Sequence, residues 1–279
     1  MNSRSYKFAP ENQGEIFETM REDMLAGAEA AEVPVLSIIG GQPGSLRAKL
    51  RAAAVEGVAP APVIVSAAEA RHFHPHAVDL LARDEKSFLQ ATEADAEKWA
   101  EGLVLAAIEG RRNIVLDGLF KRQEATLNVV RQAREGGYGT EVQAVAVPER
   151  ISRARIVDIY EAGKEVLGWG TWVSAQSHDE DVQTLAKTLT AIENRGLAHI
   201  RLFDRKGVLL HATGEIEGRD AGAAFRREIA MPLDASDKDR LKMIERRIEA
   251  KMEARQAGVL ERREAQSVIH SGRSMGLER

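Results

Sequence analysis

The chain has 279 residues, enough for one large domain or two small ones at roughly 100 to 200 residues each. A composition of 44% hydrophobic and 29% charged residues, with 23 Gly and 8 Pro, excludes a collagenous or wholly disordered protein. Lys plus Arg number 39 against 43 Asp plus Glu, a net charge of -4, so no global positive field gathers nucleic acid or anionic membrane, and neither is expected as a partner. The absence of Cys excludes disulfides, thiolate metal sites and a cysteine nucleophile, and points to the cytoplasm.

The first residues carry no apolar segment of the signal-peptide kind, and the apolar run from Val33 to Ile39 falls far below the ~18 residues needed to span a bilayer. From Glu15 to Glu29, Ile16, Met20, Met24 and Leu25 recur at helical spacing. Pro34 then punctuates before a buried strand, Val35 to Ile39. A glycine turn, Gly40 to Gly44, opens a helix from Leu46 to Glu56, and a strand follows at Pro62 to Val65. Thr92 is expected to cap a long helix through Glu109, with Ala96, Trp99, Leu103, Ala106 and Ala107 on its inner stripe. Strand Asn113 to Leu116, helix Glu124 to Arg134, strand Glu141 to Val147 and helix Ile151 to Ala162 continue the alternation. Helix Asp181 to Arg195 precedes strand His199 to Phe203, which turns through Lys206-Gly207 into Val208 to His211.

This order predicts an α/β fold with a mainly parallel sheet and helices on both faces. From Asp237 to Arg255, Leu241, Ile244, Ile248 and Met252 form one stripe of an amphipathic helix among paired charges. The tail beyond Arg255 has no sustained apolar period and is expected to fray. The resulting division is an N-terminal helical segment over 1-33, the α/β domain over 34-233 and a helical appendage over 234-279. The interleaved charges of that appendage read as a self-paired face, not a nucleic-acid arm.

The turn Gly40-Gly41-Gln42-Pro43-Gly44-Ser45 lies between a buried strand and a helix, where backbone N-H groups can cradle phosphate oxygens. The phosphate-loop pattern asks for Gly, Lys and Ser or Thr where this chain has Leu46, Arg47 and Ala48. A glycine turn at this place is also an ordinary structural device, so the motif alone leaves nucleotide binding open.

The flanking sequence narrows the choice. Gly40 to Ser45 followed by Leu50-Arg51, then Arg71-His72-Phe73-His74-Pro75, Asn113 to Gly118, Ala146-Val147-Pro148, Tyr160-Glu161, His178-Asp179 and Ile200 to Gly207 together resemble the zeta toxin family of P-loop kinases, from about residue 10 to 255. The resemblance implies ATP and magnesium as cofactors, phosphorylation of UDP-N-acetylglucosamine on a sugar hydroxyl, and a small helical antitoxin that blocks the nucleotide site. Carried over position by position, it also implies lost chemistry. The phosphate-contacting lysine becomes Arg47, a planar donor of different shape. The magnesium-side hydroxyl becomes Ala48, and a glycine becomes Leu46. The catalytic base position is Ala68, so no catalytic residue is assigned; Glu69, beside it, is expected to face solvent. On the substrate side, a hydroxyl becomes Leu119 and two charge-clamping arginines become Ile159 and Thr171, whereas Glu101 matches a substrate-binding glutamate. The expectation is a zeta-toxin-like fold with a disabled phosphoryl-transfer site. A weakly active kinase and a non-catalytic scaffold are the alternatives.

Three other groupings have plainer readings. His72, His74 and His76 alternate across Pro75 and read as a structural turn, with no metal site expected. Trp169 and Trp172 flank the expected lid and read as packing or as stacking surfaces for a ligand. Ser152, His178 and Asp179 are the residue types of a hydrolytic triad but lack a nucleophile-elbow context, and His178-Asp179 reads as a helix start.

Overall fold

The computed structural model describes residues 10–45, 47–215 and 220–271. Helix α1 (Pro10–Leu25) leads into β1 (Val35–Gly41), whose residues Leu36, Ile38 and Ile39 are buried, as a strand covered on both faces requires. Helix α2 (Ala48–Glu56), β2 (Val63–Val65), the short α3 (Ala67–Ala70), a 3-10 turn (Arg71–Phe73) and α4 (Ala77–Arg83) follow. The long α5 (Phe88–Glu109) precedes β3 (Ile114–Asp117), α6 (Gln123–Glu135), β4 (Gly139–Ala146) and α7 (Glu149–Leu167). Then come α8 (Ala175–Asn194), β5 (His199–Asp204), β6 (Leu209–Ala212) and α9 (Ala221–Ile229). Helices α10 (Ala235–Ala254) and α11 (Val259–His270) end the described chain.

The six strands form one sheet in the order β2-β3-β1-β4-β5-β6. All neighbours are parallel except the β5–β6 hairpin. The α/β architecture expected from the alternation is therefore present. Helix α5 lays Ala96, Trp99, Ala100, Leu103, Val104 and Ala107 against the sheet, a stripe at three- and four-residue spacing. No described helix is long and apolar enough to cross a membrane.

The structure corrects several local expectations. Thr92 is not a cap: α5 begins at Phe88, and the Thr92 hydroxyl donates back to the Phe88 carbonyl at 2.7 Å within the helix. The first helix ends at Leu25, not near Glu29, and α8 begins at Ala175, where the Ser174 hydroxyl accepts from the Ser177 N-H. Helices α3, α4 and α9 are too short for periodicity to reveal. The segment expected to fray after Arg255 instead forms α11, and residues 272–279 lie outside those described. Ala265, Val268 and Ile269 give α11 a narrow buried stripe, and Glu261 Oε2 accepts from the Gly258 N-H at 3.0 Å to fix its start.

Helices α7, α10 and α11 share an apolar cluster that includes Ile151, Val157, Leu241, Ile244, Ile248 and Ile269. Charges frame it. Arg255 grips the fully buried Glu161 with two bonds, Nε to Oε2 at 2.8 Å and Nη2 to Oε1 at 2.9 Å. Asp158 accepts from Arg247 Nε at 2.9 Å and Lys251 Nζ at 3.1 Å. Arg153, wholly buried, is bonded to Glu149, Asp179 and Ser271, which ties α7 to α8 and to the end of α11. Removing one member of a buried pair strands the other. Arg255→Ala should cost about 3 kcal/mol in urea unfolding, and adding Glu161→Leu should recover at least half of it. A double variant no more stable than the single one would refute this account.

Candidate functional site

The loop after β1 is shaped by close contacts. Gly41 has φ +155, and a Cβ there would lie 2.4 Å from the Ser45 hydroxyl and 3.0 Å from Arg47 Cγ. Gly44 has φ +79, and a Cβ there would meet the Ser152 carbonyl oxygen of α7 at 2.2 Å. Gln42 is buried and donates to the Val147 carbonyl at 2.5 Å, which fastens the loop to the end of β4. Leu46 lies outside the described residues.

Arg47, at the start of α2, folds back over this loop. Its Nη1 is 3.3 Å from where a Gly118 Cβ would stand, and its Nε is 3.7 Å from Asp117 Oδ1. Asp117, at the end of β3, also accepts from Arg51 Nη1 at 3.0 Å, and Arg51 is 3.7 Å from Glu69. A chain of alternating charges, Arg47–Asp117–Arg51–Glu69, therefore runs beside the glycine turn. Glu69 is half exposed, as expected from the sequence.

Next to this loop is a cleft of about 270 Å³, with a volume near the lower end of ligand pockets. Gly41, Pro43 and Arg47 form one side, and Ala67 and Ala68 bring no carboxylate to it. The opposite wall is charged, a feature the sequence reading missed. Lys121 Nζ lies 2.8 Å from Glu93 Oε1, 3.2 Å from Ser177 Oγ and 3.4 Å from Asp181 Oδ1. Arg71 Nη2 faces the same Glu93 oxygen at 3.6 Å, and Glu97 accepts from the Lys121 N-H. Burial raises the Asp181 carboxyl to about 6, against the partial pull of Lys121. Burial also works against the charged form of Lys121, but Asp181 and Glu93 outweigh it and its pKa ends above the ordinary value.

The segment between α7 and α8 closes another edge through Thr171 and Val173. Glu85 holds it. This carboxylate accepts from the Tyr160 hydroxyl, from Lys164 Nζ at 2.6 Å and from the Gly170 N-H at 3.0 Å. Burial pushes the Glu85 pKa up, but these three donors together bring it below the ordinary value. Trp172 packs edge-on against Tyr160 with ring centres 4.9 Å apart, and Trp169 lies 6.2 Å from the His72 ring, so both tryptophans serve packing here.

Of the residues expected at the site, Gly41, Pro43, Arg47, Ala68, Leu119 and Thr171 line the cleft together. Gly40, Gln42, Gly44, Ser45 and Ala48 support the loop without lining it. The structure does not bring Glu101 into the cleft: its oxygens accept from Arg122 at 3.0 Å and Asn128 at 3.3 Å, and Glu97, one turn earlier, takes the wall. Ile159 is half exposed on α7, away from the cleft. The sequence signal for the missed wall was the four-residue spacing of Glu93, Glu97 and Glu101 along α5, matched by Ser177 and Asp181 on α8.

His74 is buried, with its Nε2 3.6 Å from Asp95, in the structural turn after β2. Ser152, His178 and Asp179 do come together: Ser152 Oγ is 2.9 Å from His178 Nε2, and His178 Nδ1 is 3.3 Å from Asp179. Both Ser152 and His178 are fully buried, and burial holds the imidazole below its ordinary pKa. Glu149, His178 and Asp179 bring possible metal-ligating atoms within 4.8 Å of one another, but the Arg153 guanidinium is already bonded to both carboxylates.

A mainly parallel sheet, with a glycine loop between central β1 and α2 and a cleft at the carboxyl ends of its strands, defines the P-loop kinase fold. Residues 21–216 match the family model described as Zeta toxin, more than half of the chain, and the protein belongs to the zeta toxin family. It is 26% identical over 212 residues to Toxin zeta of Enterococcus hirae, covering 75% of this chain and 73% of that one. Toxin zeta of Streptococcus pyogenes is likewise 26% identical, over 198 residues, 70% of this chain and 68% of the relative. Among solved structures, one from the PezAT chromosomal toxin-antitoxin system of Streptococcus pneumoniae superimposes with a TM-score of 0.73 at 17% identity, covering 89% of this chain and 99% of that one. The AvrRxo1-ORF1:-ORF2 complex with ATP gives 0.50 at 16% identity, covering 90% and 87%.

Because the Glu85 pKa is depressed, its contribution is present above the unfolded carboxylate value near 4.5 and is lost as pH falls through the lower folded value. Acidification through that window should loosen the Trp169–Thr171 segment. Glu85→Ala should do the same at neutral pH, speeding amide exchange there at least tenfold while β1 and β4 stay protected. Equal protection in the variant would show that Glu85 does not hold the segment.

Proposed function

We propose that this zeta toxin family member no longer transfers phosphate, and that its cleft binds a ligand without turnover. The observation that carries this reading is the Arg47 side chain, whose Cγ and Cδ lie against Gly41, whose Nη1 lies beside Gly118 and whose Nε faces Asp117 Oδ1 at 3.7 Å. In a phosphate-binding loop those positions face the oxygens of a nucleotide, and the carboxylate serves the accompanying cation. Here the cation beside Asp117 is the protein's own.

ATP and magnesium do not fit these residues. Ala48 offers no oxygen to a metal, Asp117 Oδ2 is bonded to Arg51 while Oδ1 has no hydrogen bond and faces the Arg47 cation at 3.7 Å, and Arg47 fills space beside the turn. Ala68 cannot accept a proton, and Leu119 and Thr171 offer no charge to a transferring phosphoryl group. A missing base costs about 10² to 10⁴ in rate and a missing charge stabiliser about 10² to 10³, without multiplying within one site. Kinship makes UDP-N-acetylglucosamine the first ligand to try, with a helical antitoxin as a possible partner class, since the PezAT relative belongs to a toxin-antitoxin system.

Incubation with ATP, magnesium and UDP-N-acetylglucosamine should give no phosphorylated sugar, and millimolar ATP-magnesium should leave the melting temperature unchanged. Calorimetric titration with UDP-N-acetylglucosamine alone reads the retained binding. Magnesium-dependent sugar phosphorylation that Asp117→Asn abolishes would overturn the proposal.

A further inference from the structure

Residues 168–174 join α7 to α8 and belong to no helix or strand, so their side chains and those of their neighbours fix their place. The segment has two sides. Thr171 and Val173 line the cleft, while Trp172, between them, is 8% exposed and sits in the apolar cluster of α7, α10 and α11 with Ala265, Val268 and Ile269. The far side of the cleft's edge is therefore part of the seat on which α11 rests.

Polar bonds join α11 to the segment and to the helix that follows it. Lys86 Nζ stands 5.1 Å from the centre of the Trp172 ring and pairs with Glu264 of α11, so one ammonium links the indole to the helix. Its neighbour Glu85 is the carboxylate that holds Gly170. Past the segment, Asp179 of α8 is bonded to Arg153, and Arg153 Nη1 is bonded to Ser271 and donates to the Val268 carbonyl at 3.5 Å. Both α10 and α11 lie beyond residues 21–216, which match the family model.

The hold on α11 is narrow. Its buried stripe is Ala265, Val268 and Ile269, and near its start Arg262 Nη2 donates to the Met252 carbonyl at 3.2 Å while Glu261 Oε2 meets Arg255 Nη1 at 3.2 Å. A helix with so small an apolar footprint leaves its seat at a lower free-energy cost than the strands of a central sheet, which open only with the whole fold.

We infer that α11 is a strap: seated on α7 and α10, it holds the segment between α7 and α8 against the cleft, and its release opens the cleft. When α11 leaves, Trp172 loses part of its apolar seat and Lys86 loses Glu264. The strap goes beyond the reading of the cleft as a binding site without turnover, since it governs access whatever the cleft holds.

Tryptophan emission and a single thiol test this on the full chain. In a Trp169→Phe background the remaining tryptophans are the buried Trp99 and Trp172, so a rise in quenching reports Trp172. Ile269→Asp places a charge in the buried stripe of α11 and should speed amide exchange across Val259–His270 while β1 and β4 stay protected. Acrylamide quenching of Trp172 should rise about threefold in the same variant. The chain has no cysteine, so Thr184→Cys puts one thiol in the cleft lining, and its reaction with a bulky maleimide should become about tenfold faster on adding Ile269→Asp. Lys86→Ala leaves the stripe intact and should raise the quenching about twofold. Free exchange in α11 with Trp172 and the thiol reacting as before would overturn the inference, as would an α11 that stays protected in Ile269→Asp. If Ile269→Asp does not melt cooperatively, Lys86→Ala decides, and unchanged quenching there overturns the strap. These readings need neither ligand nor turnover, so they fail separately from the phosphorylation assay.

Discussion

Asp117 closes the end of β3, and the two arginines that converge on it set the character of the cleft. A carboxylate at the mouth of a parallel sheet can serve a metal, receive a proton or pair with a side chain, but it cannot do all three at once. Here Arg51 takes one oxygen at 3.0 Å and Arg47 approaches the other at 3.7 Å. The turn at Gly41 leaves room for Arg47 because glycine presents no Cβ in the way. The glycine loop thus accommodates the side chain of its own neighbour.

Pairing among charges also marks the opposite wall of the cleft. The mobile-looking chemistry of a kinase site depends on charges left partly unpaired until a ligand arrives. In this chain Lys121, Glu93, Asp181 and Arg71 mostly answer one another across four elements, and Glu97 holds the Lys121 backbone. Such mutual pairing lowers the cost of placing five ionisable side chains in one small cavity. It also leaves Arg71 Nε and Nη1 without hydrogen-bond partners among the described residues.

Much of the fold was legible because its strands are short apolar runs with helices between them. β1 and β3 are buried on both faces, so their composition announces them. The stripe of α5 was equally plain, but its start was not, since Thr92 bonds inside the helix instead of ahead of it. Helix α11 was missed because its stripe is only Ala265, Val268 and Ile269, and because Arg153, more than a hundred residues away, meets its last turn. At the site, the glycine turn and the side chains of Arg47, Ala48 and Ala68 beside it could be read from positions along the chain. The charged wall could not, because its ion pairs join segments far apart in sequence, and spacing along one helix does not say which carboxylate faces the cavity and which faces Arg122.

What holds the loop is separate from what lines the cleft. Gly44 rests on the Ser152 carbonyl, the Ser152 hydroxyl meets His178, His178 meets Asp179, and Arg153 joins Asp179 to the end of α11. Ser152, Arg153 and His178 are all buried and lie outside the cleft lining. Residue types that suggest a hydrolytic triad in the sequence serve here as a lock under the loop. Arg47, Ala48 and Ala68 take part in none of these bonds, so the lock does not depend on their side chains. The side chains at those positions are constrained only by whatever the cleft is required to hold.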